Sequence, residues 1–444
     1  MDYPYEIPAN WKWVKLSDLY FINPKNNVDD ELDAAFIPME MINAGMNSQF
    51  TFTTQKWGKI KKGHTHFRDG DVAFAKISPC FENRKSMIIN DLPNGIGAGT
   101  TELIVLRNTK ILQTYTYWIV NSENFIQGGR QTYSGTVGQQ RISMDYVKDY
   151  FVPLAPLSEQ HRIVARIESL FSKLDEAKEK AQSVLDGFEN RRAAILHKAF
   201  TGELTKKWRD DNSGNYAINE WENYKNDVIE LNKKAIQLPP SWKWIKLGAL
   251  GYTNIGLTYS SNDKSEDGII VLRSSNIQNG KMNYDDIVRV NINIPQNKMC
   301  QKGDLLICAR NGSKSLVGKT AIVDSDGMSF GAFMAIFRSI YNPYIYHFLC
   351  SPFFRDLIDK DVGTTTINQV TQAIIKNLPL PFAPVDEQLE IVRILDRLLS
   401  QEQQAKQAAE AVIAQIDVMK KSILARAFRG ELGTNDPSDE LVRI

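Results

Sequence analysis

The chain is poor in the residues that most often announce chemistry. Its 444 residues include 4 cysteines and 5 histidines. Cys80, Cys300, Cys308 and Cys350 show no Cys-x-x-Cys spacing and no regular framework. That excludes a disulfide scaffold and reads as small hydrophobes in a reducing compartment. No apolar run approaches the ~18 residues that would suggest a membrane span. The start, Met1-Asp2-Tyr3-Pro4-Tyr5-Glu6, lacks the basic and apolar regions of a signal peptide. A cytoplasmic protein with no membrane partner is expected. Charge of one sign is also missing, since 53 Lys and Arg against 52 Asp and Glu leave a net charge of +1. Tight binding to nucleic acid would therefore need clustered basic residues or charge supplied by partner subunits.

Catalytic motifs are absent in turn. The stretch Gly312-Ser313-Lys314-Ser315-Leu316-Val317-Gly318-Lys319-Thr320 is one residue too long for a P-loop, and the strand-like Ala321-Ile322-Val323 follows it instead of a helix. Gly95-Ile96-Gly97-Ala98-Gly99 precedes a strand, Leu103 to Leu106, and reads as a glycine turn. Asn342-Pro343-Tyr344-Ile345-Tyr346 lacks the second proline of an adenine-methyltransferase Asn-Pro-Pro-Tyr motif. It reads as the start of a helix, Ile345 to Leu357, with Pro343 in the first turn. His64-Thr65-His66 has no third ligand nearby. No catalytic residue and no metal site is predicted.

What the chain does have is one segment written twice. Pro156-Leu157-Ser158-Glu159-Gln160 opens a helical run ending at Ala199-Phe200-Thr201-Gly202-Glu203-Leu204. Pro384-Val385-Asp386-Glu387-Gln388 opens a second, ending at Ala427-Phe428-Arg429-Gly430-Glu431-Leu432, and both ends recur at an offset of 228 residues. Each run has a proline stop, a capping residue (Ser158 or Asp386) and a glycine end. The apolar positions Ile163, Ile167, Leu170, Leu174, Ala177, Ala181, Val184 and Phe188 fall at alternating spacings of four and three residues, as do Ile391, Leu395, Leu398, then Glu402, then Ala405, Ala409, Val412, Ile416, Met419 and Ile423. A sustained 3.5-residue period predicts a supercoiled partner helix. Around 40 helical residues would make a rod on the order of 60 Å long. The seam breaks where Leu174 aligns with Glu402 and Arg191 with Met419, and polar seam residues can fix register.

Ahead of each helix lies a globular block. Trp11-Lys12-Trp13-Val14-Lys15-Leu16 returns as Trp242-Lys243-Trp244-Ile245-Lys246-Leu247. Gly70-Asp71-Val72-Ala73 returns as Gly303-Asp304-Leu305-Leu306, and Gly135-Thr136-Val137-Gly138 as Gly363-Thr364-Thr365-Thr366. Thr114 to Phe125 reads as a helix, and Trp221 to Leu231 as a short one within a polar linker. The blocks otherwise share little sequence, so one scaffold presents two different surfaces. An α+β fold follows, with mixed domains at 1–155 and 236–382, helical regions at 156–205 and 383–433, a linker at 206–235 and a tail at 434–444.

The divergent middles carry charge and amides. In the first block these are Lys59, Lys61, Lys62, His64, Arg68, Lys76, Arg84, Arg130, Gln139, Gln140 and Arg141. In the second they are Arg273, Ser274, Asn276, Lys281, Arg310, Asn311, Ser313, Lys314, Lys319, Asn368 and Gln369. Lys and Arg neutralise phosphates, while Arg on guanine and Asn or Gln on adenine are the usual base-reading pairs. These residues are the candidate DNA-binding set.

Two variable domains, each followed by a repeated helix with Pro-x-x-Glu-Gln at its start and Gly-Glu-Leu at its end, strongly resemble the DNA-specificity subunit of type I restriction–modification systems. The resemblance covers essentially the whole chain, most specifically Ala155 to Gln160, Ala199 to Leu204, Lys206-Lys207-Trp208-Arg209 and the second copies. It implies that the blocks are target recognition domains and that the helices pair as an antiparallel coiled coil with pseudo-two-fold symmetry. Each domain would read half of a split, asymmetric site in double-stranded DNA. Two methyltransferase subunits and further motor–nuclease subunits would be the partners. S-adenosylmethionine, ATP and magnesium would belong to those partners, with no cofactor in this chain. A specificity subunit serving only a methyltransferase, or another phage-defence complex, would share these features. A coiled-coil scaffold protein would not need two divergent, basic and amide-rich surfaces.

Overall fold

The computed structural model describes every residue except 1–4, 109, 213–219, 231–236, 363–368 and 443–444. It divides into two compact units, Met1–Gln182 with Glu410–Ile444, and Ser183–Ala409. The repeat motif Gly363 to Thr366 and the candidate Asn368 lie outside the described residues.

In the first unit, a four-stranded sheet runs in the order Phe21–Ile22, Leu103–Arg107, Val72–Ala75, Ser86–Ile88. A second has the order Thr53–Lys56, Asp33–Ile37, Ile96–Gly99, Thr65–Arg68, with its central pair parallel. The strand Val72–Ala75 is buried at every position, as expected of a short continuous apolar run. Glycines 97 and 99 are strand residues, not a turn. A Cβ on Gly97 would meet the Phe67 ring at 2.3 Å, and one on Gly99 the Ile37 carbonyl at 2.4 Å. Close sheet packing therefore accounts for this glycine run. The helix expected over 114–125 is two, Gln113–Val120 and Glu123–Gln131, divided where Ser122 caps the second through the Phe125 amide.

The second unit repeats the first sheet as Tyr252–Ile255, Met334–Arg338, Leu305–Cys308, Thr320–Ile322. Its other main sheet is smaller, with Lys264–Leu272 between Arg289–Val290 and Ser329–Phe330 and again one parallel pair. Residues 220–227 form a 3-10 turn instead of an α-helix. The helix expected from Ile345 starts at Asn342, ends at Leu349, and is followed by another, Pro352–Val362.

The repeated motifs brace each unit internally, and in the same way. A strand containing Trp13 pairs antiparallel with Phe151–Leu154, just ahead of the long helix, and Lys243–Lys246 pairs likewise with Pro379–Phe382. The indole N–H of Trp11 donates to buried Glu159 at 2.7 Å, and that of Trp242 to buried Glu387 at 2.8 Å. The next residue folds back, Gln160 donating to the Ala155 carbonyl at 2.9 Å and Gln388 to Ala383 at 2.7 Å. Glu-Gln is thus a lock between domain and helix start. Gly-Asp is a second lock. Gly70 and Gly303 take φ of 92° and 89°, while Asp71 and Asp304 hold Arg107 and Arg338 through paired bonds of 2.7 to 2.8 Å.

The helices depart from their expected form in three respects. The first is not continuous. It runs Leu157–Asp186 and then Phe188–Phe200, whereas the second is a single helix, Val385–Ala427. At the break, Arg191 donates to the Val184 carbonyl at 2.9 Å and pairs with Glu402 at 2.9 Å. The two polar residues that interrupt the apolar seam therefore meet each other. Second, Val412 and Met419 are 43% and 45% exposed and do not pack the seam. The stripe of buried and half-buried positions follows Ile391, Leu395, Leu399, Glu402, Lys406, Ala409, Ile413, Ile416, Lys420, Leu424 and Ala427, ten steps over 36 residues, which is the drift of a 3.6-residue helix from a strict 3.5 repeat. Ile163, Ile167, Phe188, Ile391, Leu395 and Ile416 are buried, while Leu170, Leu174, Val184, Leu398 and Ile423 are half-buried. Lys420 lies 5.0 Å from the Phe171 ring and Lys406 4.8 Å from Phe188, so lysine stems roof aromatic seam residues. Third, Ser158 does not cap, since its hydroxyl donates to Asp439. In each unit the contacting segments run in opposite directions, with Arg162 against Asp439 and Asp175 against Lys420 in the first, and Phe188 against Lys406 and Arg191 against Glu402 in the second.

Candidate nucleic-acid interface

In the first domain the basic residues fall into two groups. The short helix Trp57–Ile60 buries Trp57 and Ile60 and leaves Lys59 exposed, with exposed Lys62 just beyond it. Lys61 pairs with Asp30 at 2.5 Å. His64 bonds to the Ile60 carbonyl at 3.0 Å, and exposed Arg68 ends a strand. His66, buried against Trp57, accepts from the Asn26 amide on Nδ1, so its Nε2 donates to the Lys61 carbonyl. Burial lowers its pKa.

The second group lies along 130–141, where Arg130 and Gln139 are exposed and Gln140 is half-buried. Half-buried Lys76 joins it through its carbonyl, which accepts from Ile142 at 3.0 Å. Val137, at the turn between Gly135 and Gly138, is 89% exposed. Arg141 is gripped by Glu102, with Nε at 2.9 Å and Nη2 at 2.7 Å, and its Nη1 donates to the Gln139 carbonyl. That grip raises the pKa of the guanidinium further. Arg84 does not belong to either group. Its guanidinium donates to the Asn121 carbonyl and pairs with Glu123 at 2.6 Å, leaving the side chain 12% exposed, so it serves the fold.

The second domain gathers its candidates more tightly. Asn311 donates to Ser274 at 3.3 Å and accepts from the Ser313 amide at 3.0 Å. Arg310 forms a backbone bridge with Gln369, and its guanidinium sits 5.3 Å from the Phe333 ring centroid. Lys314 lies 3.5 Å from Asp359, Lys281 is exposed on a small hairpin, and Lys319 is half-buried beside the central sheet. Arg273 pairs with Asp286 at 2.7 Å. Asn276 is a second residue taken by the fold. It is buried, and its amide holds the Asn283 and Asp286 carbonyls at 2.9 Å. A recess of about 640 Å³ in the first unit includes Arg68 and exposed Phe21 in its wall, and one of about 600 Å³ beside Phe333 includes Tyr259, Lys264, Arg273 and Ser275.

Sequence reasoning missed Glu102 and Phe333, because an acid and an apolar residue do not register in a search for basic and amide groups. Their signal was positional. Each immediately precedes the strand that ends in Arg107 or Arg338.

Two domains on one frame, with different side chains at the same places, define a class of two-headed recognition proteins. Within that class, a family model described as the type I restriction modification DNA specificity domain matches residues 8–185 and again 239–412, and the chain belongs to that family. The EcoAI specificity subunit of Escherichia coli is 27% identical over 89% of this chain and 78% of its own. The EcoEI specificity subunit of the same species is 26% identical over 91% and 81%. In fold the chain is similar to the HsdS subunit of Thermoanaerobacter tengcongensis, with a TM-score of 0.70 at 19% identity over 96% of this chain and 99% of that one. A chain from a structure concerned with complex assembly and conformational transition of the type I R-M system gives 0.69 at 21%, over 96% and 100%.

Proposed function

We propose that this chain is the DNA-recognition subunit of a type I restriction–modification complex, directing adenine methylation and cleavage that its partners perform. The observation that carries the reading is the double match to the specificity-domain family over two domains with matching locks and differing polar surfaces. Each domain reads one half of a split, asymmetric site, and the paired helices act as an antiparallel spacer. A rod on the order of 60 Å suits half-sites roughly one helical turn, about 34 Å, apart. Two methyltransferase subunits dock on it and motor–nuclease subunits join them. S-adenosylmethionine, ATP and magnesium are held by those partners, which must also flip the target adenine from the duplex. The near-neutral charge fits a reader whose partners share the work of neutralising phosphates. The complex acts in the cytoplasm.

The test is methylome sequencing of a methylation-free host carrying this chain with the methyltransferase subunit encoded beside it. A split, asymmetric adenine-methylated motif that vanishes when this chain is omitted is the expected result. No motif, with the complex assembled and the methyl donor present, refutes the reading.

A further inference from the structure

The two domains can be aligned at their candidate reading sites by backbone bonds alone. In the first, the Lys76 amide donates to the Glu102 carbonyl at 2.8 Å, and the Ile142 amide to the Lys76 carbonyl at 3.0 Å. In the second, the Ala309 amide donates to the Phe333 carbonyl at 2.9 Å, and the Val370 amide to the Ala309 carbonyl at 2.7 Å. One residue further on, Ile77 bridges Arg141 and Arg310 bridges Gln369. Glu102 and Phe333 therefore occupy one position, Ile77 and Arg310 another, and Arg141 and Gln369 a third.

The same place is furnished by opposite means. In the first domain an arginine on the third position is held side-on by a carboxylate. With Nε, one Nη2 hydrogen and one Nη1 hydrogen engaged, an N–H remains on each terminal nitrogen for an outside acceptor. In the second domain the arginine comes from the second position and lies over an aromatic ring that is itself 59% exposed. Among the described residues Arg310 has no carboxylate within ion-pair distance. Beside the ring, in the recess of about 600 Å³, Arg273 Nε and Ser275 Oγ are buried and have no hydrogen-bond partner among the described residues.

We propose that Glu102 and Phe333 are equivalent positioning residues that set base preference at one base pair in each half-site. Glu102 aligns Arg141 on the acceptor pair of a guanine edge. Phe333 presents Arg310 together with an apolar face suited to a thymine methyl group. This rests on the DNA-reading function proposed above.

The test uses the purified complex of the full chain with its methyltransferase subunits, measuring methylation of duplexes substituted one base pair at a time. The unaltered complex should discriminate at each of the two positions by about tenfold to a hundredfold. Glu102→Gln, which keeps the side chain's size, should abolish discrimination at one base pair of one half-site. Phe333→Ala should do so at one base pair of the other, and Phe333→Tyr should restore it. Thermal melting of each variant separates this from loss of fold, and Phe333→Gln, which keeps bulk without the ring or the apolar face, replaces Phe333→Ala if the latter melts early. Folded variants that keep every base preference, or lose rate equally on all duplexes, overturn the inference. An unaltered complex that methylates no split motif overturns the function beneath it instead.

Discussion

The two glutamates that lock helix to domain are alike in sequence and unlike in partners, which makes their replacement by glutamine a sharp test. Glu387 is fully buried and accepts from Trp242 on Oε2, and from the Thr205 hydroxyl and Arg209 on Oε1. The Arg209 side chain is itself 15% exposed. In Glu387→Gln the new amide must face either a guanidinium or an indole N–H, so neither rotamer satisfies the site. Breaking a buried ion pair on one side costs about 3–5 kcal/mol. Among the described residues Glu159 accepts only from neutral groups, Trp11 and Asn435 on Oε2 and the Thr434 hydroxyl on Oε1. In Glu159→Gln the amide can donate to that hydroxyl, which turns to accept, while the carbonyl keeps the other two bonds. The cost should be nearer 1 kcal/mol. Two compact units make a single unfolding free energy ill-defined, so amide hydrogen exchange is the assay, read at residues 163–167 and 391–395. Glu387→Gln should lower local stability at the second segment by about 2–4 kcal/mol more than Glu159→Gln does at the first. Equal losses, or a greater loss in Glu159→Gln, would refute the assignment of Arg209 as the decisive partner.

Three other expectations follow from single contacts. Gly430 has φ 75° and a Cβ there would meet Pro8 Cγ at 2.3 Å, so Gly430→Ala should cost more than the roughly 1–2 kcal/mol of left-handed strain alone. Gly138→Ala, at φ 85° with open space around it, should cost only that strain, and exchange at the neighbouring amides measures both. The carboxyl of Asp439 is held below the usual aspartate range by bonds from Arg162 and Ser158. Its contribution to holding the tail is present above the unfolded pKa and fades as pH falls through the lowered value. Exchange protection around residues 434–442 should therefore weaken in acid, and Asp439→Asn should reduce that dependence to the part carried by Asp436, whose carboxyl is lowered by bonds from Ser438. A chain ending at residue 215 lacks Leu424, Ala427 and Phe428, which complete the first core. It should sediment as a dimer or larger species, and a stable monomer would contradict that core.

Much of this was legible because the repeat constrains it. The Trp-Lys-Trp start, the Glu-Gln helix opening and the Gly-Asp landmark stand out in sequence, and each is one side of a buried polar contact that any copy of the frame must satisfy. The seam was legible in outline only. A 3.5-residue count and a 3.6-residue helix agree over a few turns and then part, which is why Val412 and Met419 face outward while Lys406 and Lys420 cover phenylalanines. Within the candidate site, residue type alone did not tell which polar groups are already engaged by the fold. Arg84 and Asn276 are engaged by neighbouring carbonyls and Glu123, whereas Glu102 and Phe333, which a search for basic and amide groups passes over, lie against Arg141 and Arg310.

The repeat and the folded units do not coincide, and that explains why both ends of the helix are preserved between copies. The first helix opens in the first unit and closes in the second, and the second helix does the reverse. Accordingly Leu196, Ala199 and Phe200, which end the first copy, belong to the core of the second domain, while Leu424, Ala427 and Phe428 belong to that of the first. The contacts match in kind. Phe200 meets Tyr344 edge-on at 5.4 Å, and Phe428 meets Tyr115 at 5.4 Å. Each of those tyrosines donates to a strand carbonyl at 2.6 Å, Tyr115 to Pro153 and Tyr344 to Pro381. Gly202 turns against Pro239 as Gly430 turns against Pro8. Every domain thus takes its helix opening from its own copy and its helix ending from the other. A substitution at Phe200 would act on the domain that follows it and not on the one that precedes it. Such an exchange keeps the Ala-Phe-x-Gly-Glu-Leu ending alike in both copies for packing reasons, while the candidate DNA-reading surfaces, which take no part in it, are free to differ.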